Sequence, residues 1–162
     1  MSYVKTADLG QKCDRQAVFR LKNDSTTNGT QAIRIASECH GVLIGAYLNF
    51  SALADWLNGQ ERDVIILCAG WKTKFNLEDS LFAGALAEKL LGAGMYHTIC
   101  DSTLASIDLW DKARTDLPGY INKVAQKERL RKNKLDDVMG YCHTFDTTRV
   151  IPALDGDQLK NL

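Results

Sequence analysis

The stretch from Asp63 to Glu88 constrains the fold more than any other part of the chain. It reads Asp-Val-Ile-Ile-Leu-Cys-Ala-Gly-Trp-Lys-Thr-Lys-Phe-Asn-Leu-Glu-Asp-Ser-Leu-Phe-Ala-Gly-Ala-Leu-Ala-Glu. Val64 to Cys68 is a continuous apolar run with the signature of a buried strand. From about Leu77 to Leu91 the apolar spacing becomes helical, and Gly92 to Gly94 end that helix. A fully apolar strand feeding a helix is the repeating unit of parallel sheets covered on both faces.

The pattern extends upstream. Ser25-Thr26-Thr27-Asn28-Gly29-Thr30 is a hydroxyl-rich turn, and Thr30 can cap a helix carrying Ala32, Ile33, Ile35 and Ala36 on one face, stopped by Gly41. Val42 to Tyr47 reads as a buried strand. Asn49 or Ser51 can cap a helix through Leu53, Ala54, Trp56 and Leu57, which Asn58-Gly59 terminates. The order α-β-α-β-α with short connections predicts a three-layer α/β/α fold with a mixed, largely parallel sheet. Residues 1–24 are weakly patterned and read as a divergent N-terminal segment, extended or poorly ordered, with room for one strand; 25–162 form the α/β domain. The second half is helical over Ser102 to Arg114, around Tyr120 to Val124 and over Asp136 to Cys142, with a charged solvated segment from Gln126 to Lys134. Arg149 to Leu154 reads as a last strand, with Pro152 at an edge or a strand end.

Composition excludes several classes of function. Twenty basic residues cancel twenty acidic ones, so there is no bulk pull toward nucleic acid or anionic membrane. No apolar run approaches the ~18 residues of a membrane span. The five cysteines, Cys13, Cys39, Cys68, Cys100 and Cys142, match no zinc spacing and no disulfide framework, which fits a reducing cytoplasm.

Each candidate for chemistry has a plain structural alternative. Successive N–H groups and hydroxyls of the Thr26–Thr30 turn make a concavity for an oxyanion, with a helix N-terminus behind it; a capped turn that binds nothing explains the same residues. Cys68, at a strand end beside that loop edge, has the position of a thiolate nucleophile as in Cys-x5-Arg phosphatases, but Lys74 stands six residues on where the arginine belongs, and an inert buried cysteine is the better reading. Glu78 and Asp79 suit the first turn of a helix on dipole grounds alone. They also suit Mg²⁺, which takes one or two carboxylates plus phosphate oxygens. Lys72 and Lys74 can steer a phosphate or merely be solvated. His40, His97 and His143 have no partner at metal spacing.

Taken together, Ser25 to Thr30, Gly45-Ala46-Tyr47-Leu48-Asn49-Phe50-Ser51-Ala52, Cys68-Ala69-Gly70, Glu78-Asp79, Ala83-Gly84, Asp137-Val138, Cys142 and Val150-Ile151-Pro152 resemble the motifs of the 2-phosphosulfolactate phosphatase family in order and spacing. The resemblance covers roughly the last two thirds of a member. The family's early Arg-Ala-Thr motif has no counterpart, Asp8-Leu9-Gly10 alone resembles its next motif, and Val124-Ala125-Gln126 stands where members carry Ser-Ser-His. The resemblance implies a Mg²⁺-dependent hydrolase of a 2-hydroxy-acid phosphate ester, the type substrate being 2-phospho-3-sulfolactate on the route to coenzyme M. The expected site then has Asp79 and Cys68 in catalysis, with Asp79 and Glu78 toward Mg²⁺. Thr26, Thr27, Asn28, Gly29, Thr30, Gly70 and Lys72 are expected toward the substrate. The competing expectation is a shortened, inactive remnant that binds an anion or a partner. A sheet lacking strands has open edges, so a homo-oligomer is also expected.

Overall fold

The computed structural model describes residues 2–6, 16–20, 26–71, 74–122 and 140–162. The described residues form one seven-stranded sheet: β1 (Ser2–Thr6), β2 (Gln16–Arg20), β3 (Gly41–Gly45), β4 (Val64–Leu67), β5 (Tyr96–His97), β6 (Pro152–Asp155) and β7 (Gln158–Asn161). Their spatial order is β5-β1-β4-β2-β3-β6-β7. The pairs β5/β1, β1/β4, β4/β2 and β2/β3 are parallel, while β6 and β7 close one side as an antiparallel hairpin. Pro152 opens β6, where its missing N–H costs no ladder bond.

The helices are α1 (Thr26–Ala36), α2 (Phe50–Asn58), α3 (Leu77–Gly92), α4 (Asp101–Ala113) and α5 (Leu117–Ile121), with a single 3-10 turn over Tyr47–Asn49. The apolar contacts divide into two clusters. Ala32 and Ala36 of α1 pack with Val42 and Ile44, and Leu67 and Ala69 join them. On the other side, α2, α3 and α4 pack over Val18, Leu43, Val64 and Ile66. Alternation explains the division, since successive residues of a strand point to opposite faces.

The connections fix where a ligand crevice lies. From β2 the chain crosses through α1 to β3 on one side; from β4 it crosses through α3 to β5 on the other. Right-handed crossovers running in opposite directions put α1 and α3 on opposite faces. The helices that follow β2 and β4 therefore lie on opposite faces, and neighbouring parallel strands so arranged open a crevice at their carboxyl ends.

Several expectations are corrected. The segment before residue 24 contributes two strands rather than one, and β2 lies between β4 and β3 in the sheet. Low apolar density concealed them, because strands this short show little periodicity. The Thr26–Thr30 stretch is helical, forming the first turns of α1; packing of Ala32 and Ala36 overrides the weak helix propensity of Thr, Asn and Gly. Ile35, expected on the buried face, is 51% exposed. On α4 the buried residues include Thr103 and Ser106, while Leu104 is exposed. The segments Gln126–Lys134 and 136–139 lie outside the described residues, and Gly140 to Cys142 are helical.

Two close approaches set the packing near the crevice. A Cβ added at Gly84 would overlap the Ser106 carbonyl oxygen, so α3 and α4 touch there backbone to backbone. A Cβ at Gly45 would sit 2.8 Å from Phe82 Cζ and 2.9 Å from Leu53 Cδ2. The 146–150 segment ties down the turn after β3. Asn49 Oδ1 accepts from the Ala46 N–H (2.8 Å), and its Nδ2 donates to the carbonyls of Ile44 (3.1 Å) and Val150 (2.9 Å). Asp146 accepts from the Ser51 N–H (2.7 Å) and from Ser51 Oγ (2.8 Å). Asn49 thus follows the expected capping position but spends its side chain on the strand end and the C-terminal segment.

Candidate active site

Three pieces of chain meet at the carboxyl ends of β2 and β4. The first is the start of α1. Asn28, Gln31, Ala32 and Ile35 recur at i, i+3, i+4 and i+7, so they share one helix face. The second is the end of β4, Leu67-Cys68-Ala69. Together these residues line a cavity of about 210 Å³. That volume lies below the ~300 Å³ typical of pockets for drug-sized ligands, so only a small ligand would fit it. The third piece is the start of α3, joined to the second through Gly70.

Gly70 is held by two constraints. Its φ of 71° is a left-handed conformation that glycine adopts without strain. A Cβ there would also stand 2.7 Å from the Lys74 carbonyl oxygen. The loop beyond it is closed by paired backbone bonds, Trp71 N–H to Lys74 O (3.0 Å) and Lys74 N–H to Trp71 O (2.9 Å). The Gly70 N–H itself donates to Asp79 Oδ2 at 2.8 Å. Asp79 is thereby fixed against the strand-end loop that carries Cys68.

The acidic pair is placed by the helix cap. Asn76 precedes α3 in extended conformation, and its side chain accepts from the N–H groups of Glu78 (3.0 Å) and Asp79 (3.5 Å). Both carboxylates are buried, Glu78 2% exposed and Asp79 3%. Asn76 was missed in the sequence reading, although an Asn two residues before Glu-Asp is a recognisable N-cap signal.

The expected site residues fall as follows. Asn28 and Cys68 line one cavity, whose wall does not include Asp79. Asp79 reaches the Cys68–Gly70 loop through Gly70 instead. Thr26 and Thr27 open α1, Gly29 is buried and Thr30 is exposed, the last outside the cavity wall. Cys68 is half-buried, at the end of β4. Lys72 lies outside the described residues. Gln31, not foreseen, joins Asn28 one turn further along α1; the helical spacing would have revealed it had the hydroxyl turn been read as helix.

The donor chemistry of this edge suits magnesium. Glu78 and Asp79 offer only oxygen ligands, and the described residues assemble no group of three or more His, Cys, Asp or Glu that could hold a metal. One or two carboxylates completed by water and substrate oxygens is the arrangement Mg²⁺ takes. The hydrogen bond from Gly70 occupies one lone pair of one Asp79 oxygen, and the carboxylate keeps further acceptor sites.

The fold and this edge define an α/β protein with a ligand crevice at a topological switch point, lined by amides and flanked by carboxylates. A family model described as 2-phosphosulpholactate phosphatase matches residues 21–157. The chain is similar to proteins named probable 2-phosphosulfolactate phosphatase. That of Prochlorococcus marinus is 33% identical over 133 residues, covering 80% of this chain and 55% of the relative. That of Synechocystis sp. is 33% identical over 131 residues, covering 79% and 54%. That of Caldanaerobacter subterraneus is 31% identical over 130 residues, covering 80% and 54%. The chain belongs to the 2-phosphosulpholactate phosphatase family. It spans about half the length of the curated relatives it matches.

Proposed function

We propose that this chain hydrolyses the phosphate ester of a 2-hydroxy acid with Mg²⁺, converting 2-phospho-3-sulfolactate and water to 3-sulfolactate and phosphate. The observation that carries the reading is the meeting of α1 and the Cys68–Gly70 loop at the β2/β4 switch point, with Asp79 bonded to that loop. The names of the relatives support the same chemistry.

In this reading the backbone N–H groups at the start of α1, from Thr26 to Asn28, hold oxygens of the substrate. Helix N-termini favour such anions because their first N–H groups have no acceptor within the helix. The Asn28 and Gln31 amides orient the acid portion in the cavity, and Lys72 adds positive charge. Asp79, with Glu78, holds Mg²⁺, which when bound supplies charge neutralisation to the phosphoryl group. Cys68 forms part of the wall. Gly70 keeps Asp79 in one orientation, so that the substrate meets a fixed carboxylate.

The test is phosphate release from 2-phospho-3-sulfolactate and from 2-phospholactate at increasing Mg²⁺, for the wild type and Asp79→Ala. Mg²⁺-dependent turnover that Asp79→Ala abolishes is the expected result. No release at high enzyme concentration would overturn the reading in favour of a non-catalytic module that binds an anion or a partner.

A further inference from the structure

The cavity beside α1 is graded along the helix. Asn28 and Gln31, nearest the start of α1, bring amides to the wall. Ala32 and Ile35 follow, and Ile35 stands two turns beyond Asn28, about 10 Å at 1.5 Å per residue. Leu67 and Ala69 continue the aliphatic part from the strand side, packed with Ala32, Val42 and Ile44. The described wall is thus two amides, the Cys68 thiol and four aliphatic side chains, none of them charged.

Such a wall discriminates between substituents of a 2-hydroxy acid. Amides can hydrogen-bond the carboxylate common to all these acids. Aliphatic surface favours an alkyl group, because apolar area leaves water. A sulfonate is ionised at any physiological pH, and an ion set against aliphatic surface is unfavourable unless a counter-charge meets it.

We propose that the aliphatic part of this cavity takes the carbon substituent of the substrate. The chain then prefers 2-phospho acids with a short uncharged alkyl group, as in 2-phospholactate, over those with a sulfonate, and Ile35 is a specificity-determining residue. This rests on the phosphatase reading for the reaction and moves the preferred ester from the sulfonate to the alkyl member of the class.

The test compares 2-phospholactate with 2-phospho-3-sulfolactate, by kcat/KM with Mg²⁺ and by calorimetric binding without it. The proteins are the wild type, Ile35→Lys and Ile35→Met. Ile35 is 51% exposed, so both substitutions leave the core intact. The wild type should favour 2-phospholactate by at least about tenfold, the lower end of what one group in an apolar pocket gives. Ile35→Lys should shift the ratio toward the sulfonate by about tenfold, through the added counter-charge. Ile35→Met should keep the wild-type ratio. The ratio is read from kcat/KM where there is turnover and from binding where there is none. Equal or better use of the sulfonate ester by the wild type, or a ratio unchanged in Ile35→Lys, overturns the proposal. If 2-phospholactate binds in preference but neither ester is hydrolysed, the proposal stands and the phosphatase reading falls. If neither ester is bound or hydrolysed, both fall.

Discussion

The carboxylate of Asp79 accepts a 2.8 Å hydrogen bond from the backbone N–H of Gly70. This bond joins the first turn of α3 to the loop after β4, nine residues apart in sequence and adjacent at the crevice. Substitution can test this structural role of Asp79 apart from the metal-binding role proposed for it.

Asp79→Ala removes the acceptor and should destabilise the fold by about 1–3 kcal/mol, the usual cost of stranding a buried donor. Asp79→Asn keeps an acceptor oxygen and should recover most of that loss while still removing the charge that the proposed Mg²⁺ role calls for. Denaturant unfolding reads the first effect and Mg²⁺-dependent turnover the second. Equal unfolding midpoints for Asp79→Ala and wild type would show that the bond to Gly70 contributes nothing.

Gly84 tests the contact between α3 and α4. Its Cα faces the Ser106 carbonyl with no room for a methyl group. Gly84→Ala should cost about 2 kcal/mol or more, since overpacking against backbone cannot be relieved by a rotamer change. The helix-propensity gain of about 1 kcal/mol for Gly to Ala acts in the opposite direction. A raised melting temperature in this variant would mean that the helices separate easily.

The carboxylate of Asp146 occupies the start of α2 through Ser51, 95 residues away in sequence. Asp146→Ala should destabilise the protein by about 1 kcal/mol, as loss of an N-terminal cap does. In a double-mutant cycle, Asp146→Ala and Ser51→Ala should be non-additive by at least about 0.5 kcal/mol. Additive effects would mean that the hydroxyl bond adds nothing to the backbone one.

Tyr96 gives stability an alkaline limit. Its hydroxyl donates to the Leu57 carbonyl at 2.7 Å. Burial, and secondarily the Asp63 carboxylate, raise its pKa above the ordinary 10.0. The folded state thus holds this proton more tightly than the unfolded chain. The resulting stability is fully present below pH 10.0 and is lost as pH rises through the folded-state pKa. Tyr96→Phe should lose about 1 kcal/mol at neutral pH and should show a shallower decline in stability above pH 10.0. Parallel alkaline unfolding curves for the two proteins would contradict this.

The helices and the β3 and β4 strands were legible because their signals are local. Gly92 to Gly94 end α3 as expected, with Gly94 at φ 76°, and Asn58-Gly59 end α2. The unread strands β1, β5 and β7 are short and lack an apolar run; they pair through backbone groups, which any sequence carries. At the site, the acidic pair and the Cys-Ala-Gly loop were visible as residue types at a strand-to-helix junction. The bond from Gly70 to Asp79 and the pairing of Asn28 with Cys68 across one cavity were not, because both depend on contacts between separate segments.

The sequence by itself determined the element types of the middle of the chain and the family, because hydrophobic period, turn residues and ordered motifs are written locally. Only the tertiary structure decided that β2 sits between β4 and β3, and hence that α1 and α3 leave the sheet on opposite faces. Strand order follows from the net burial of all the strands and helices at once. No window of sequence contains that sum, and the crevice at the β2/β4 junction is its consequence.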